Sequence, residues 1–289
     1  MIEHIPVMLN EVLQFLDPQD NKVYFDGTFG GGGYTQAILN KSDCSVVACD
    51  RDEHVFQYAD EIKQKYGDKF HFSHSKFSEI KKVINKFSYS SVDGIVLDLG
   101  VSNFQLADAS RGFSFKSAGN IDMSMGLCHE NAFDLIRRCT EEQLANIIYE
   151  FGEERFSRRI AKRIKENLKQ LKTTEDLANV IRACVRKQGK IDPATKTFQA
   201  LRIYVNNELD ELRAVLQEAA DLLNPGGRIV VVSFHSLEDR IVKLFFREIS
   251  DTNPKFKIVT KKPIVPTENE VAINPKSRSA KLRCLENEA

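Results

Sequence analysis

The chain has 289 residues, of which 42% are hydrophobic and 28% are charged, and its 41 Lys and Arg balance 41 Asp and Glu. This composition is ordinary for a globular protein, and without a run of about 18 apolar residues we expect no membrane-spanning helix. The N-terminal sequence has no basic segment followed by an apolar stretch, which predicts a cytoplasmic protein without a signal peptide, and six cysteines without C-x-x-C spacing argue against zinc or a disulfide framework.

The first predicted elements are a short amphipathic helix over residues 4–16 and a strand that ends in Asp26. The stretch 23–35, V-Y-F-D-G-T-F-G-G-G-G-Y-T, continues from this strand through four glycines into a helix-compatible run, 34–39. Glycines permit positive φ and a close approach of ligand to backbone, and the N–H groups of a helix start favour carboxylate or phosphate. This order predicts the first half of a nucleotide-binding βαβ unit.

The details of the turn distinguish between nucleotide classes. The dinucleotide pattern G-x-G-x-x-G/A would need a small residue where Thr35 stands. Asp26, four residues before Gly30, instead gives the D-x-x-x-G-x-G arrangement of S-adenosylmethionine-dependent methyltransferases. For this stretch alone, a glycine-rich hairpin without a ligand is the alternative.

Strands two and three are predicted over residues 45–49 and 70–73. The first of them ends in Asp50, about 20 residues beyond the glycine turn, where a carboxylate can accept both hydroxyls of a ribose. Phe77 follows the second, where an adenine ring could stack on it. The alternatives to ligand binding are that Asp50 is an N-cap and that Phe77 has a core or capping role.

Strand four, 92–97, is almost continuously apolar, as expected of a buried parallel strand, and runs into Asp98. In doubly wound sheets, ligands bind outside the carboxyl ends of the strands. We therefore expect Asp26, Asp50, Phe77 and Asp98 to converge at one edge of a parallel sheet.

The alternation of strands and helices stops after strand four. Residues 105–126 lack a regular pattern, and 132–187 show helical periodicity, with Thr173 or Thr174 as an N-cap. We expect an all-helical insertion over residues 107–200 between the two parts of an α/β domain, 1–106 and 201–289.

The α/β pattern resumes with one long helix over 198–223, which Asn-Pro-Gly-Gly ends. Strand five, 228–234, runs into His235 and a helix over 237–249. Strands six (256–260) and seven (279–285) are expected as an antiparallel pair at the sheet edge.

Charge is distributed unevenly although the total is zero. Residues 155–202 contain 14 Lys and Arg against 4 Asp and Glu, and residues 255–283 contain 8 against 2. Such asymmetry suits a protein with one face for a polyanion; a solvated basic helix face is the alternative.

Taken together, the motifs resemble one family. D-G-T-F-G-G-G-G-Y-T, L-D-L-G-V-S-N-F-Q-L, F-G-E-E-R-F-S-R-R-I-A, P-A-T-K-T-F-Q-A-L-R-I-Y-V-N-N-E-L, S-F-H-S-L-E-D-R and N-P-K-S-R-S-A-K-L-R occur in the order of the RsmH (MraW) family. These are bacterial S-adenosylmethionine-dependent 16S ribosomal RNA cytosine-N4 methyltransferases. The resemblance implies a Rossmann-like class I methyltransferase sheet with an inserted helical substrate-recognition domain, and 16S rRNA in the small ribosomal subunit as partner. The resemblance does not decide whether the protein forms a homodimer.

The resemblance also implies which residues contact S-adenosylmethionine: Gly32, Gly33, Tyr34, Asp50, Phe77, Asp98 and Gln105. The family usually has His at the position of Tyr34, a change that a backbone contact would tolerate and a side-chain role would not.

Catalysis must overcome the weak nucleophilicity of the cytosine amine, mainly by positioning and with an acceptor for its N–H. In many amino-methyltransferases a D/N-P-P-Y/F motif supplies this acceptor, and the motif is absent here. Asp98 and His235 are therefore the candidate catalytic residues, with Ser236 as a further polar neighbour. The candidates for RNA contacts are Arg202, Asn206, Arg240, Lys276, Arg278 and Lys281. Two other functions remain open: a nicotinamide-dependent oxidoreductase and a ribosome-assembly factor with a vestigial pocket.

Overall fold

The computed structural model describes residues 6–185 and 192–289, without the side chain of Asn103. It divides into two compact units. An α/β unit contains the described residues up to Gly100 and again from Leu209, and a helical unit comprises Val101–Glu208. The helical unit therefore begins before residue 107 and ends after residue 200, the boundaries expected from the sequence.

Within these ranges the chain forms seven strands and thirteen α-helices. The strands are β1 (Val23–Asp26), β2 (Ser45–Asp50), β3 (Phe70–His74), β4 (Val92–Asp98), β5 (Leu223–Ser233), β6 (Phe256–Ile258) and β7 (Lys281–Asn287). The helices are α1 (Leu9–Leu16), α2 (Gly33–Lys41), α3 (Phe56–Tyr66), α4 (Ile80–Lys86), α5 (Asn103–Ala107), α6 (Ala132–Arg138), α7 (Glu141–Gly152), α8 (Ser157–Glu166), α9 (Thr174–Cys184), α10 (Thr195–Asn206), α11 (Glu208–Leu222), α12 (Ser236–Thr252) and α13 (Glu268–Ile273). None of these helices is long and apolar enough to cross a membrane.

The seven strands form one sheet in the order β3-β2-β1-β4-β5-β7-β6. Strands β1 to β5 are parallel, and β7 is antiparallel to both of its neighbours, β5 and β6. The strand order reverses between β1 and β4, which is the switch point where α/β sheets bind ligands. The predicted Rossmann-like fold class and its antiparallel edge pair are confirmed.

Alternating side chains of the sheet supply two separate apolar layers. Phe25 and Ile95 belong to the layer on one face, and Tyr24 and Val96, one position away on the same strands, belong to the layer on the other. Burial on both faces explains why these strands are apolar without alternation. It also leaves only their ends free for polar chemistry.

The helical unit has its own apolar core, built from one face of each helix between α6 and α10. The predicted N-cap of α9 is confirmed at Thr173, whose hydroxyl accepts the N–H of Asp176 (3.2 Å). A reciprocal bond from the backbone N–H of Thr173 to the Asp176 carboxylate completes a capping box (2.8 Å).

Two predicted elements are corrected by the structure. The single helix expected over 198–223 is two helices, α10 and α11, because Asn207 between them has φ 52° in the left-handed region. Strand β5 begins at Leu223 and not at residue 228, because Leu223 already pairs with Val92 before an irregularity in the register.

Candidate functional site

The loop between β1 and α2 is fixed along the carboxyl ends of neighbouring strands by its own backbone. The N–H of Gly27 donates to Val96 O on β4 (3.1 Å), and the N–H of Phe29 donates to Cys49 O on β2 (3.1 Å). The N–H of Gly32 closes the turn on Phe29 O (2.7 Å). The glycine loop is therefore a rigid rim on the edge of the sheet where the sequence predicts a ligand.

Two glycines of this loop have left-handed backbones but different surroundings. Gly32 has φ 72°, which strains any residue with a Cβ, and a Cβ there would also lie 2.2 Å from Cδ1 of Ile62 on α3. Gly30 has φ 52°, but a Cβ there would find no atom closer than Thr28 O at 3.9 Å. The space beside Gly30 is consequently open for a ligand that approaches the backbone.

Asp26, at the end of β1, is already occupied with the protein itself. It is fully buried, Oδ1 accepts the N–H of Thr28 (3.2 Å), and Oδ2 accepts the hydroxyl of Thr35 (2.7 Å). Burial raises the pKa of Asp26 to about 6, against the lowering effect of these hydrogen bonds. Both carboxylate oxygens have donors, so Asp26 holds the loop in shape.

Asp50, at the end of β2, joins the glycine loop to its own strand. Its Oδ2 accepts the N–H of Gly30 (2.8 Å), and its Oδ1 accepts the N–H of Asp52 (2.9 Å). Burial raises the pKa of Asp50 to about 6. The backbone N–H of Arg51 is a third donor to this carboxylate. Since a carboxylate has about four lone-pair directions, one remains with which Asp50 can accept a ligand hydroxyl.

Asp98, at the end of β4, differs from the other two strand-end carboxylates. Its backbone N–H donates to Thr28 Oγ1 (2.7 Å), yet its Oδ1 is shielded from solvent and receives no hydrogen bond from the residues the structure describes. Burial raises the pKa of Asp98 well above its usual range, and the charges of Asp26 and Glu238 act in the same direction. An unbonded buried acceptor is costly, and it fits a ligand that brings a donor.

His235 also has a buried side-chain atom without a hydrogen bond. Within the described part of the α/β unit, such atoms are Ser42 Oγ, Asp98 Oδ1 and His235 Nε2. His235 is the N-cap of α12, because its Nδ1 accepts the N–H of Glu238 (3.3 Å), while its Nε2 lies 3.0 Å from Glu238 Oε1 without hydrogen-bonding it. Two of these three atoms belong to the residues predicted as catalytic.

Phe77 lies just past β3 in a short segment that is anchored on both sides. The residues that flank it, Lys76 and Ser78, both bond the buried carboxylate of Glu211 on α11, the first through its ammonium group (2.9 Å) and the second through its hydroxyl. Phe77 itself is half-buried. Sequence reasoning missed Glu211 because its partners are more than 130 residues away, and it missed Thr28 because a threonine inside a glycine motif carries no separate signal.

The side chain of Tyr34 is not available to a ligand. Its hydroxyl donates to Val7 O, and the ring is buried in the layer behind the loop. Burial raises the pKa of the Tyr34 hydroxyl well above its usual range. Only the backbone of Tyr34 is left for a cofactor contact, together with that of Gly33 in the first turn of α2.

Gln105 belongs to the helical unit. It occupies the third position of α5, where its Oε1 accepts the N–H of Ser102 (2.9 Å) and its own N–H donates to Ser102 Oγ (3.2 Å). The side chain therefore caps its own helix.

Two of the residues predicted to contact RNA make hydrogen bonds within the helical unit. Asn206 is fully buried, and its amide bridges Met125 N (2.8 Å) and Met123 O (2.7 Å), so the prediction that it contacts RNA is wrong. The guanidinium of Arg202 makes two parallel hydrogen bonds of 2.7 Å with the carboxylate of Glu208.

The other four predicted RNA contacts lie in the α/β unit. Arg240, Lys276 and Arg278 are exposed. Lys281 is half-exposed, and its ammonium bonds the carboxylate of Asp239 (3.2 Å).

The chain is similar to known proteins along almost its whole length. The chain is 49% identical over 293 residues to a ribosomal RNA small subunit methyltransferase H of Ehrlichia chaffeensis, and 48% identical to one of Ehrlichia canis, each match covering 98% of this chain and 99% of the relative. A crystal structure of a rRNA methylase from Clostridium thermocellum aligns over 96% of this chain and 94% of that one at 11% identity, with a TM-score of 0.48. The model of the MraW methylase family matches residues 1–288. The chain therefore belongs to the MraW methylase family.

Proposed function

We propose that the protein is an S-adenosylmethionine-dependent methyltransferase that methylates N4 of a cytidine in 16S ribosomal RNA of the small subunit, in the cytoplasm. The relatives named as ribosomal RNA small subunit methyltransferases support the reaction class and the RNA. The observation that supports the cofactor is the unbonded, shielded Oδ1 of Asp98 beside a glycine loop at the sheet's switch point.

Each group at this edge suits one part of the cofactor. Asp50 would accept a hydrogen bond from the ribose hydroxyls through its remaining lone-pair direction. The backbone from Gly32 to Tyr34 would face the methionine end, and Asp98 would accept a hydrogen bond from its ammonium group. Phe77 would stack on the adenine.

S-adenosylmethionine, when bound, supplies a methyl group made electrophilic by a sulfonium. The protein then has to hold the cytosine amine in line with that methyl group. We expect this positioning to make the largest contribution of the protein to the rate of methyl transfer. The amine nitrogen must also lose a proton as the new N–C bond forms. Among the described residues of the α/β unit, Asp98 presents a shielded acceptor atom that lacks a hydrogen bond, so we assign it this part of the reaction. Because the Nδ1 of His235 accepts the N–H of Glu238, the Nε2 of the neutral ring carries the proton, and we assign His235 the role of a hydrogen-bond donor to the substrate.

Transfer of tritium from labelled S-adenosylmethionine to small ribosomal subunits that lack the modification tests the proposal. Product nucleosides are identified by mass, and wild type is compared with Asp98→Asn and with Asp221→Asn, which makes the same chemical change at an exposed position of α11. We expect N4-methylated cytidine with wild type and with Asp221→Asn and a large loss with Asp98→Asn. Label in another nucleoside would overturn the assignment to N4 of cytidine. Failure to label subunits or naked rRNA, despite binding of S-adenosylhomocysteine, would overturn the assignment of the RNA.

A further inference from the structure

We infer that the exposed face of helix α8 is a binding surface for the sugar–phosphate backbone of the RNA substrate. The basic face is defined here as Arg158, Arg159 and Lys162. The inference rests on the proposed function for the identity of the RNA. The sequence indicates only that the segment 155–202 is basic, and the structure assigns three residues within it to one surface.

Helix α8 separates apolar from cationic side chains completely over its middle turns. Its buried side chains include Ile160, Ala161 and Ile164, which pack into the core of the helical unit. The three side chains of the basic face are all exposed. Arg158 and Lys162 are one helical turn apart, about 6 Å along the axis at 1.5 Å per residue, and Arg159 lies beside them. Three cations are thus held on one rigid surface by the packing of the opposite face.

The basic face lacks the carboxylate partners that other arginines of this unit have. None of its three side chains forms an ion pair or a hydrogen bond with another described residue, whereas exposed arginines elsewhere in the unit are matched. Those matched pairs are Arg137–Asp134, Arg138–Glu130 and Arg182–Asp192.

Unmatched like charges one turn apart on a helix destabilise it. Although the whole chain has as many acidic as basic residues, the segment 155–202 that contains α8 has 14 Lys and Arg against 4 Asp and Glu, so carboxylates are depleted around this surface. A polyanion relieves the repulsion, and arginine guanidinium groups match phosphate oxygens in two-point hydrogen bonds. Among polyanions, the RNA that the enzyme must bind is the one that its proposed function supplies.

The test compares two triple variants that remove the same charge. One replaces Arg158, Arg159 and Lys162 by Gln, which keeps helix propensity. The matched control replaces three exposed lysines of the α/β unit by Gln: Lys41, Lys81 and Lys243. Binding of a 16S rRNA transcript is measured at several KCl concentrations, without methyl transfer, and S-adenosylhomocysteine affinity is measured as a check on folding.

We expect the α8 triple variant to bind the transcript at least about tenfold more weakly at 100 mM KCl. The slope of log affinity against log salt should fall by about two to three, since each lost phosphate contact removes roughly 0.7–0.9. The control should change the slope by less than about one, and both variants should keep wild-type affinity for S-adenosylhomocysteine.

Equal slopes for the two variants would overturn the inference, as would loss of binding to phosphatidylserine vesicles with unchanged RNA binding. If wild type transfers methyl groups but the α8 variant binds RNA normally, the surface assignment alone fails. If the α8 variant loses RNA binding but wild type methylates no subunit, the proposed function alone fails.

Discussion

Replacing Asp98 by Asn should have opposite effects on the stability of the ligand-free protein and on its affinity for the cofactor. The Oδ1 of the wild-type carboxylate is shielded and receives no hydrogen bond from any residue that the structure describes, and Asp98 lies in the field of Asp26 and Glu238. Asparagine has nearly the same shape and no charge. The substitution therefore removes an unfavourable charge from the ligand-free protein and leaves a neutral amide oxygen as the acceptor in the ligand-bound one.

The size of the stability effect follows from the cost of an unsatisfied buried polar group, about 1–3 kcal/mol and more when it is charged. The asparagine side chain would still bury an amide, so we expect the free energy of unfolding at pH 7.5 to rise by about 1–2 kcal/mol. For a chain of this size that corresponds to a rise in melting temperature on the order of 4 °C. The ammonium group of the ligand would then bond a neutral amide oxygen in place of a carboxylate, which is a weaker pairing and should cost about 1–2 kcal/mol of binding, or a roughly five- to thirtyfold weaker Kd for S-adenosylhomocysteine.

Asp26→Asn is the matched control, because Asp26 is also a buried strand-end carboxylate. Its two oxygens already accept the N–H of Thr28 and the hydroxyl of Thr35. An amide can reproduce only one of these two acceptors, and its NH₂ group would face a donor. We therefore expect Asp26→Asn to lower the free energy of unfolding by about 1–3 kcal/mol, the opposite sign from Asp98→Asn.

Calorimetric melting at pH 7.5 with and without S-adenosylhomocysteine, together with titration calorimetry, measures both effects. The relevant transition is the one that the ligand shifts in wild type. If Asp98→Asn destabilises the protein as much as Asp26→Asn does and keeps wild-type affinity for the ligand, Asp98 is a structural carboxylate and its place in the site is wrong.

Three further predictions concern neighbouring residues. Glu211→Ala should release the segment that carries Phe77 and weaken S-adenosylhomocysteine binding about tenfold, with little further loss in the double variant with Phe77→Ala, as a double-mutant cycle would show. Because the pKa values of Asp26 and Asp50 rise from 3.8 to about 6, the native state holds extra protons between these values, and calorimetry should show that ligand-free stability falls as pH rises across this window. Asn206→Ala should lower the free energy of unfolding by about 1–3 kcal/mol in denaturant titrations without changing the salt slope of RNA binding.

The sequence predicts the sheet well because its strands are short apolar runs buried on both faces, and their carboxyl ends carry the polar residues. It fails at Asn207, where the apolar periodicity of α10 continues into α11 without Gly or Pro. Only the left-handed φ of that residue separates the helices, and asparagine tolerates this conformation without being a reliable sign of it.

The positions of the site residues could be predicted, but the tasks of their side chains could not. Asp50 and Asp98 lie at the ends of strands, and local sequence patterns predict where those strands end. Tyr34 and Asn206 are committed to backbone groups 27 and 83 residues away. Such long-range partners leave no trace in local sequence, so a motif predicts a ligand contact for a polar side chain that the fold itself uses.

The electrostatics of the strand ends also decide between the cofactor classes that the glycine turn left open. Repulsion from Asp50 helps to raise the pKa of Asp26, and repulsion from Asp26 helps to raise that of Asp98. A nicotinamide dinucleotide would add two negative phosphates to this field, whereas a sulfonium and an ammonium group would reduce the cost of keeping the carboxylates ionised. We therefore expect NAD to leave the melting temperature unchanged while S-adenosylhomocysteine raises it. S-adenosylmethionine should bind more tightly than S-adenosylhomocysteine, and this preference should shrink in Asp98→Asn, since only the sulfonium distinguishes the two ligands by charge. Stabilisation by NAD equal to that by S-adenosylhomocysteine would contradict the electrostatic argument.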